Sequence, residues 1–229
     1  MPALRGLFFT GTDTGVGKTH VAALVIRVLK QQGQRVRVSK PVATGVNAQG
    51  WNEDTVKLAQ AADMPIEQWS TITPWTFSEP AAPPLAARKQ GRILRLPEVA
   101  AAVRSQADAD AVLVVEGVGG LLCPLTESET VADLVAALDM PLAVVARRSL
   151  GTLSHTLLTL EVARGRQLGV AGIIVNETSV PRTIAEETNV DELRRRAHVP
   201  VLAVVPYQEL PTHEIPAALA ALDWGRLAR

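Results

Sequence analysis

The sequence predicts an α/β fold: a mostly parallel β-sheet flanked by helices on both faces and folded as one domain over residues 1–229. Three observations carry that prediction. Apolar runs at 111–115, 142–146, 170–175 and 201–205 are too short for helices and apolar at successive positions, the mark of strands buried on both faces. Between them lie longer segments whose apolar residues recur at helical spacing, so strand alternates with helix and each strand–helix–strand unit joins parallel neighbours. Finally, 229 residues with 47% hydrophobic and 20% charged side chains can fill one core without demanding two.

The elements follow in order. Residues 4–10 form an apolar strand ending at Gly11, and 18–32 carry Val21, Leu24, Val25, Val28 and Leu29 on one helical face until Gly33 stops them. Residues 35–39 alternate as a strand, and a polar stretch leads to a helix over 54–62. Segment 63–84 holds Pro65, Pro74, Pro80, Pro83 and Pro84 with Trp69 and Trp75, and reads as an irregular surface excursion with structure of its own. A helix over 96–107 precedes the strand 111–115, which runs into Glu116 and a glycine-rich turn. Helices over 131–138, 152–168 and 185–197 then alternate with the strands at 142–146, 170–175 and 201–205, and a weaker helix closes the chain.

Charge and cysteine content narrow the function. The 23 basic and 23 acidic side chains cancel, so no long-range field collects nucleic acid or an anionic membrane. Cys123 is alone, which excludes an intrachain disulfide and a cysteine zinc site and suits a reducing compartment. With neither a signal-peptide pattern nor about 20 consecutive apolar residues, the expected location is the cytoplasm.

In a parallel sheet, ligands sit at the carboxyl ends of the strands, and the chemically versatile residues fall there. The stretch GTDTGVGKT at 11–19 resembles a phosphate-binding P-loop, with backbone N–H groups facing phosphates, Lys18 adding a point charge and Thr19 offering a hydroxyl to Mg²⁺. Its spacing is one residue longer than the usual pattern between the first glycine and Gly17. Glu116, at a strand end, is a candidate magnesium ligand together with Thr19 and Asp54, because Mg²⁺ takes hard oxygen ligands, often one or two carboxylates beside phosphates and water. Asp54 reads equally as the N-cap of its helix. Lys40 is one of only five lysines against eighteen arginines and follows the second strand, where an ammonium can neutralise charge on a transferred phosphoryl group. The four histidines lack metal-ligand spacing, Ser149 and Ser154 lack triad partners, and Arg194 to Arg196 read as a solvated helix face.

With these residues placed, four segments together resemble the dethiobiotin synthetase family: GTDTGVGKT at 11–19, SKPVATG at 39–45, VVEGVGGLLCPL at 114–125 and LGTLSHTLLTLE at 150–161. FSEPAAPPLAA at 77–87, VNE at 175–177 and VVPY at 204–207 fall in the same order. The resemblance implies a P-loop NTPase-like fold and an ATP- and Mg²⁺-dependent cyclo-ligase of biotin biosynthesis. Its substrates would be 7,8-diaminopelargonic acid, CO2 or bicarbonate, and ATP. Its products would be dethiobiotin, ADP and phosphate, formed through a carbamate and a carbamic–phosphoric anhydride.

It also implies roles by position. Lys18, Lys40 and Thr14 would serve catalysis, and Thr19, Asp54 and Glu116 would hold the metal. Thr12, Gly15, Val16, Gly17, His20, Gly117, Val118 and Gly119 would surround the nucleotide, whose base Asn176, Pro206 and Tyr207 would read. Thr44, Lys40, Gly151 and Ser154 would meet the substrate, whose carboxylate reaches the interface of a homodimer. Three positions depart from the family: Gly15 stands where some members carry an acid, Thr44 where serine is frequent, and Ser154 where asparagine often precedes the histidine. Two other readings compete: a dimeric P-loop ATPase switch of the partitioning type, and the synthetase portion of an amidoligase. The first needs a second lysine early in the loop, where Thr12 to Val16 stand, and the second needs a glutaminase portion that has no counterpart here.

Overall fold

The computed structural model describes residues 4–208 and 214–228. In chain order the elements are β1 (Gly6–Gly11), α1 (Lys18–Gln31), β2 (Arg35–Ser39), β3 (Val42–Thr44), α2 (Glu53–Ala61), a 3-10 turn (Ile66–Gln68), α3 (Trp69–Ile72) and β4 (Trp75–Phe77). There follow α4 (Pro83–Lys89), α5 (Leu96–Ser105), β5 (Ala111–Gly120), α6 (Val131–Leu138), β6 (Leu142–Arg147), α7 (Thr152–Gly165), β7 (Val170–Asn176), α8 (Ile184–Arg196), β8 (Val201–Val205), α9 (Ala217–Ala220) and α10 (Trp224–Leu227).

Six strands form one all-parallel sheet in the order β2-β5-β1-β6-β7-β8. Such strands must be apolar on both faces, and β1 is buried at every position. Its alternate residues feed two cores: Leu7 and Phe9 pack with α1 and α2, whereas Phe8 packs with α5 and α6. Trp224, fully buried, closes the α1 side and donates its indole N–H to Leu219 O at 2.9 Å. A third cluster joins β7 to α8 through Ile173, Val175, Val190 and Leu193.

The two central crossovers diverge. α1 carries the chain from β1 to β2 past β5, and α6 carries it from β5 to β6 past β1, with their apolar faces in opposite cores. The chain therefore leaves the carboxyl ends of neighbouring β1 and β5 in opposite directions, which opens a crevice between them.

The structure adds detail to the sequence expectation. β5 continues past Val115 to Gly120, so Glu116 lies within a strand rather than at its end, and the pairing of Gly11 with Gly120 carries the ladder on after an irregularity. Gly117 makes this possible, because a Cβ there would lie 2.8 Å from the Phe8 ring. Segment 63–84 contains α3 and β4, and β4 pairs in parallel with β3 to form a small second sheet. The C-terminal helix is two four-residue pieces. Among the described residues, no helix is long and apolar enough to cross a membrane.

Candidate functional site

The turn after β1 is shaped by glycine. Gly17 caps α1 at φ 90° with no side-chain cap, which leaves the first N–H groups of a fourteen-residue helix pointing out of the loop. A side chain at Gly17 would be strained by its φ and would also overlap the Asn176 amide. Asn176, buried at the end of β7, donates from Nδ2 to Val16 O at 3.0 Å and so fixes the loop to the sheet. Gly15, at φ 72°, has open space where a Cβ would stand.

Beside this loop, three charged side chains and a hydroxyl meet from four parts of the fold. Lys40, just past β2, places Nζ 2.6 Å from Glu116 Oε1 on β5 and 3.0 Å from Asp54 Oδ2 on α2. Thr19, in the first turn of α1, donates to the same Glu116 oxygen at 2.9 Å. The other oxygen, Glu116 Oε2, is buried with no partner. Lys18 Nζ reaches only the Asp13 carbonyl, at 3.4 Å.

Burial pulls Lys40 below its ordinary pKa, but Glu116 and Asp54 outweigh it and hold the ammonium above that value. Burial likewise raises Asp54, and Lys40 outweighs it, leaving the carboxyl lowered. For Lys18, burial wins over the attraction of Glu116, and its pKa is lowered. Burial also lowers His20, with Arg27 and Lys57 adding to the shift, and raises the Cys123 thiol.

Asp54 is not the helix cap. Asn52 takes that position, accepting from Asp54 N at 2.9 Å while its Nδ2 donates to Thr44 O at 3.0 Å. The cap thus frees the Asp54 carboxylate to face Lys40 and ties α2 to the end of β3.

These groups line a cleft of about 750 Å³. It gathers Thr14, Gly15, Gly17, Lys18, Thr19, His20, Lys40, Thr44, Asp54, Glu116, Val118 and Gly119 from the sequence-predicted set. It also includes Asn52, Lys57, Cys123 and the Pro80 to Pro83 wall, to which the sequence reading gave no role. The proline-rich stretch at 77–87 was the available signal for that wall, since its spacing marked an ordered segment without saying what it faced.

A second cleft of about 470 Å³ adjoins the first through Thr14, Gly119 and Cys123, and includes Thr12. Its other side is α7, which contributes His155, Leu158, Thr159 and Val162. Gly151 and Ser154 are exposed and line neither cleft. Val16 is buried in the core below the loop, and Gly117 packs against Phe8. Tyr207 lies apart, in a hollow with Val180, Arg182 and Thr183, and its backbone N–H donates to Glu177 Oε2 at 3.1 Å. Glu177 is paired in turn with Arg148, and Pro206 is exposed.

Among the described residues there is no group of three His, Cys, Asp or Glu side chains able to hold a metal by themselves. The donor set of two carboxylates and the Thr19 hydroxyl, with the partnerless Glu116 Oε2, fits a hard divalent ion that takes its remaining ligands from phosphate and water.

Comparison with known proteins bears on the family and the fold. A family profile described as an AAA domain matches residues 5–214. The chain is 44% identical over 205 residues to the ATP-dependent dethiobiotin synthetase BioD of Anaeromyxobacter dehalogenans strain 2CP-1, covering 90% of this chain and 91% of that one. It is 39% identical to the Bacillus licheniformis protein of the same name, covering 90% and 87%. The Bacillus subtilis strain 168 protein, also of that name, is 36% identical and covers 89% and 87%. Among solved structures, a ParA family ATPase from Chlorobium tepidum TLS superposes with a TM-score of 0.55 at 18% identity, covering 90% of this chain and 85% of the other. A MinC:MinD cell division complex from Aquifex aeolicus gives 0.52 at 12%, covering 90% and 82%. At such identities these two speak for a shared P-loop NTPase-like fold.

Proposed function

The chain belongs to the ATP-dependent dethiobiotin synthetase family, an ATP-using ligase family of biotin biosynthesis, and on that premise we propose how its residues divide the work. One amine of 7,8-diaminopelargonic acid adds to CO2 to give a carbamate. A carbamate oxygen attacks the γ-phosphorus of ATP and expels ADP, forming the carbamic–phosphoric anhydride. The second amine attacks that carbonyl, phosphate leaves, and the ureido ring of dethiobiotin closes.

In this reading the N–H groups of the 11–19 loop and Lys18 hold the triphosphate, and the Lys40 ammonium meets the negative charge of the carbamate and the moving phosphoryl group. Thr14 and Thr44, whose side chains carry hydroxyls and which both line the cleft, orient the substrate. Asn176, Pro206 and Tyr207 receive the base. Thr19, Asp54 and Glu116 would bind Mg²⁺, which supplies charge neutralisation on the β- and γ-phosphates when bound. The observation that carries the proposal is the meeting of Lys40 with Glu116, Asp54 and Thr19 at the mouth of a P-loop, because it sets a buried cation beside a phosphate cradle.

We further read the chain as one domain, acting in the cytoplasm without nucleic acid or membrane, as a homodimer whose second cleft receives the substrate chain and its carboxylate. Support comes from Leu122 and Leu158, exposed on that cleft, and from the neighbouring exposed turn that carries Gly151 and Ser154. His155, which lines the cleft, is the polar group nearest to that role.

The test is phosphate release from MgATP with and without 7,8-diaminopelargonic acid and bicarbonate, followed by mass analysis of the product. Release that depends on the diamine and yields dethiobiotin is expected. Release indifferent to the diamine would overturn the proposed chemistry.

A further inference from the structure

Lys40 occupies the point at which its two carboxylate partners converge. Its Nζ lies within hydrogen-bond distance of both Glu116 Oε1 and Asp54 Oδ2, and Thr19 approaches the same Glu116 oxygen. Two of the three side chains proposed to bind a divalent metal thus already hold a cation, one that belongs to the chain, and the third donates to one of those carboxylates. A Mg²⁺ ion needs its ligand oxygens at about 2.1 Å. An ammonium bonded to the same two carboxylates would then be forced against a doubly charged ion in a buried site, where repulsion is poorly screened.

We propose that Lys40 is the resident counter-ion of the metal site and gives up the carboxylates when MgATP binds, so that metal loading delivers its ammonium to the carbamate and the γ-phosphate. This rests on the reading of Asp54 and Glu116 as metal ligands. Three features favour exchange over coexistence. The Lys40 side chain is only 4% exposed but lines the same cleft as Gly17, Lys18 and Thr44, so its open path leads toward the phosphates. Its four-carbon stem can swing without moving the backbone, which is anchored through Lys40 N to Ile72 O at 2.9 Å. The charges also favour release: Lys18 and Lys40 balance Asp54 and Glu116, and Lys57, also on the cleft, is paired with Glu53, so a metal dication arriving with a triphosphate leaves anionic charge on the nucleotide for a freed ammonium to meet.

The rival arrangement keeps Lys40 on Glu116 Oε1 while the metal takes the partnerless Oε2, so that the two cations repel without displacing one another and the ammonium contacts survive metal loading. Mn²⁺ binding, followed by electron paramagnetic resonance without nucleotide, tests whether the Lys40 charge opposes the metal, and the Lys40 ammonium resonance then reports whether its contacts are given up. Exchange predicts that Lys40→Met binds Mn²⁺ about tenfold or more tightly than wild type, because the competing charge is gone. Lys40→Arg, which keeps the charge, should stay near wild type, and adding Asp54→Asn to Lys40→Met should remove the gain. Equal affinity in wild type and Lys40→Met overturns the exchange.

A measurement on the wild type does not depend on the variants folding: the ammonium resonance of Lys40 in lysine-¹⁵N-labelled protein saturated with ADP should shift when Mg²⁺ is added. A resonance that stays in place overturns the exchange as well. Mn²⁺ binding in the presence of ADP distinguishes the underlying metal assignment. If Glu116→Gln binds Mn²⁺ with ADP as tightly as wild type, the assignment falls and the exchange with it. If Glu116→Gln weakens that binding and Lys40→Met gains nothing, the exchange alone falls.

Discussion

Lys18 and Lys40, two of the three lysines that line the cleft, differ in what neutralises them. Lys40 is paired twice, so its charge stabilises the fold. Its folded pKa is raised, and that contribution is complete below the ordinary lysine value and is lost only as pH rises through the folded one. Lys18 is nearly buried, its pKa is lowered chiefly by that burial, and its one hydrogen bond is the long contact to Asp13 O. An ammonium taken out of water with so little in return opposes folding, and the proposed function gives the reason for keeping it: a phosphate to meet. Lys18→Met is therefore expected to raise stability by about 1 kcal/mol while abolishing ATP-dependent turnover. Thermal denaturation of the variant beside a phosphate-release assay checks both halves, and a variant that loses stability and activity together would contradict this account.

At the level of elements, α6 holds the rim of the site. Its first N–H groups, from Val131 and Ala132, donate to Cys123 O and Leu121 O at 3.0 and 2.9 Å and so fasten the strand-end segment after Glu116. A reciprocal cap formed by Thr130 and Asp133 starts the helix, and Asp133 also pairs with Arg166 beyond α7 at 2.7 Å. Burial tends to raise the Asp133 pKa, but the Thr130 N–H, the Thr130 hydroxyl and Arg166 together lower it. A folded value below the unfolded one makes this contribution complete above about pH 4 and lost as pH falls through the folded value. Asp133→Asn should accordingly cost about 1 kcal/mol at neutral pH, with the gap from wild type shrinking in acid. Urea denaturation across that pH range would show it.

Elements with strong local patterns were legible in the sequence: the five apolar strands, α1 with its glycine loop, and the residues at the strand ends. The small β3–β4 sheet was not, because three-residue strands separated by two helices and a 3-10 turn carry no local period, and their pairing is a tertiary fact. The extension of β5 was hidden for a different reason. Gly117, Gly119 and Gly120 signal a turn by composition, and only the Phe8 ring beneath Gly117 and the pairing with Gly11 keep that segment in the sheet. Asp54 could be read either as cap or as ligand, and the structure removes the first reading by giving the cap to Asn52, whose amide satisfies the helix start and Thr44 at once.

For the whole molecule, the site lies where β1 and β5 send the chain to opposite faces of the sheet, and the second cleft opens beside it under α7. Leu158, 61% exposed on that cleft, is expected to be covered in the proposed homodimer. Leu158→Glu should leave the circular dichroism of the fold unchanged, shift sedimentation to the monomer and lower turnover. A variant that stays dimeric would place the interface elsewhere. The contacts that complete the site join Lys40 to Glu116 across 76 residues, Thr19 to Glu116 across 97, and Asn176 to Val16 across 160. A nascent chain therefore presents its glycine loop to the cell long before the carboxylate and the amide that discipline it have been synthesised. Contacts of such sequence separation form late and together. No growing fragment that stops short of β7 holds the assembled loop, so the capacity to spend ATP arrives with the finished sheet and not before it.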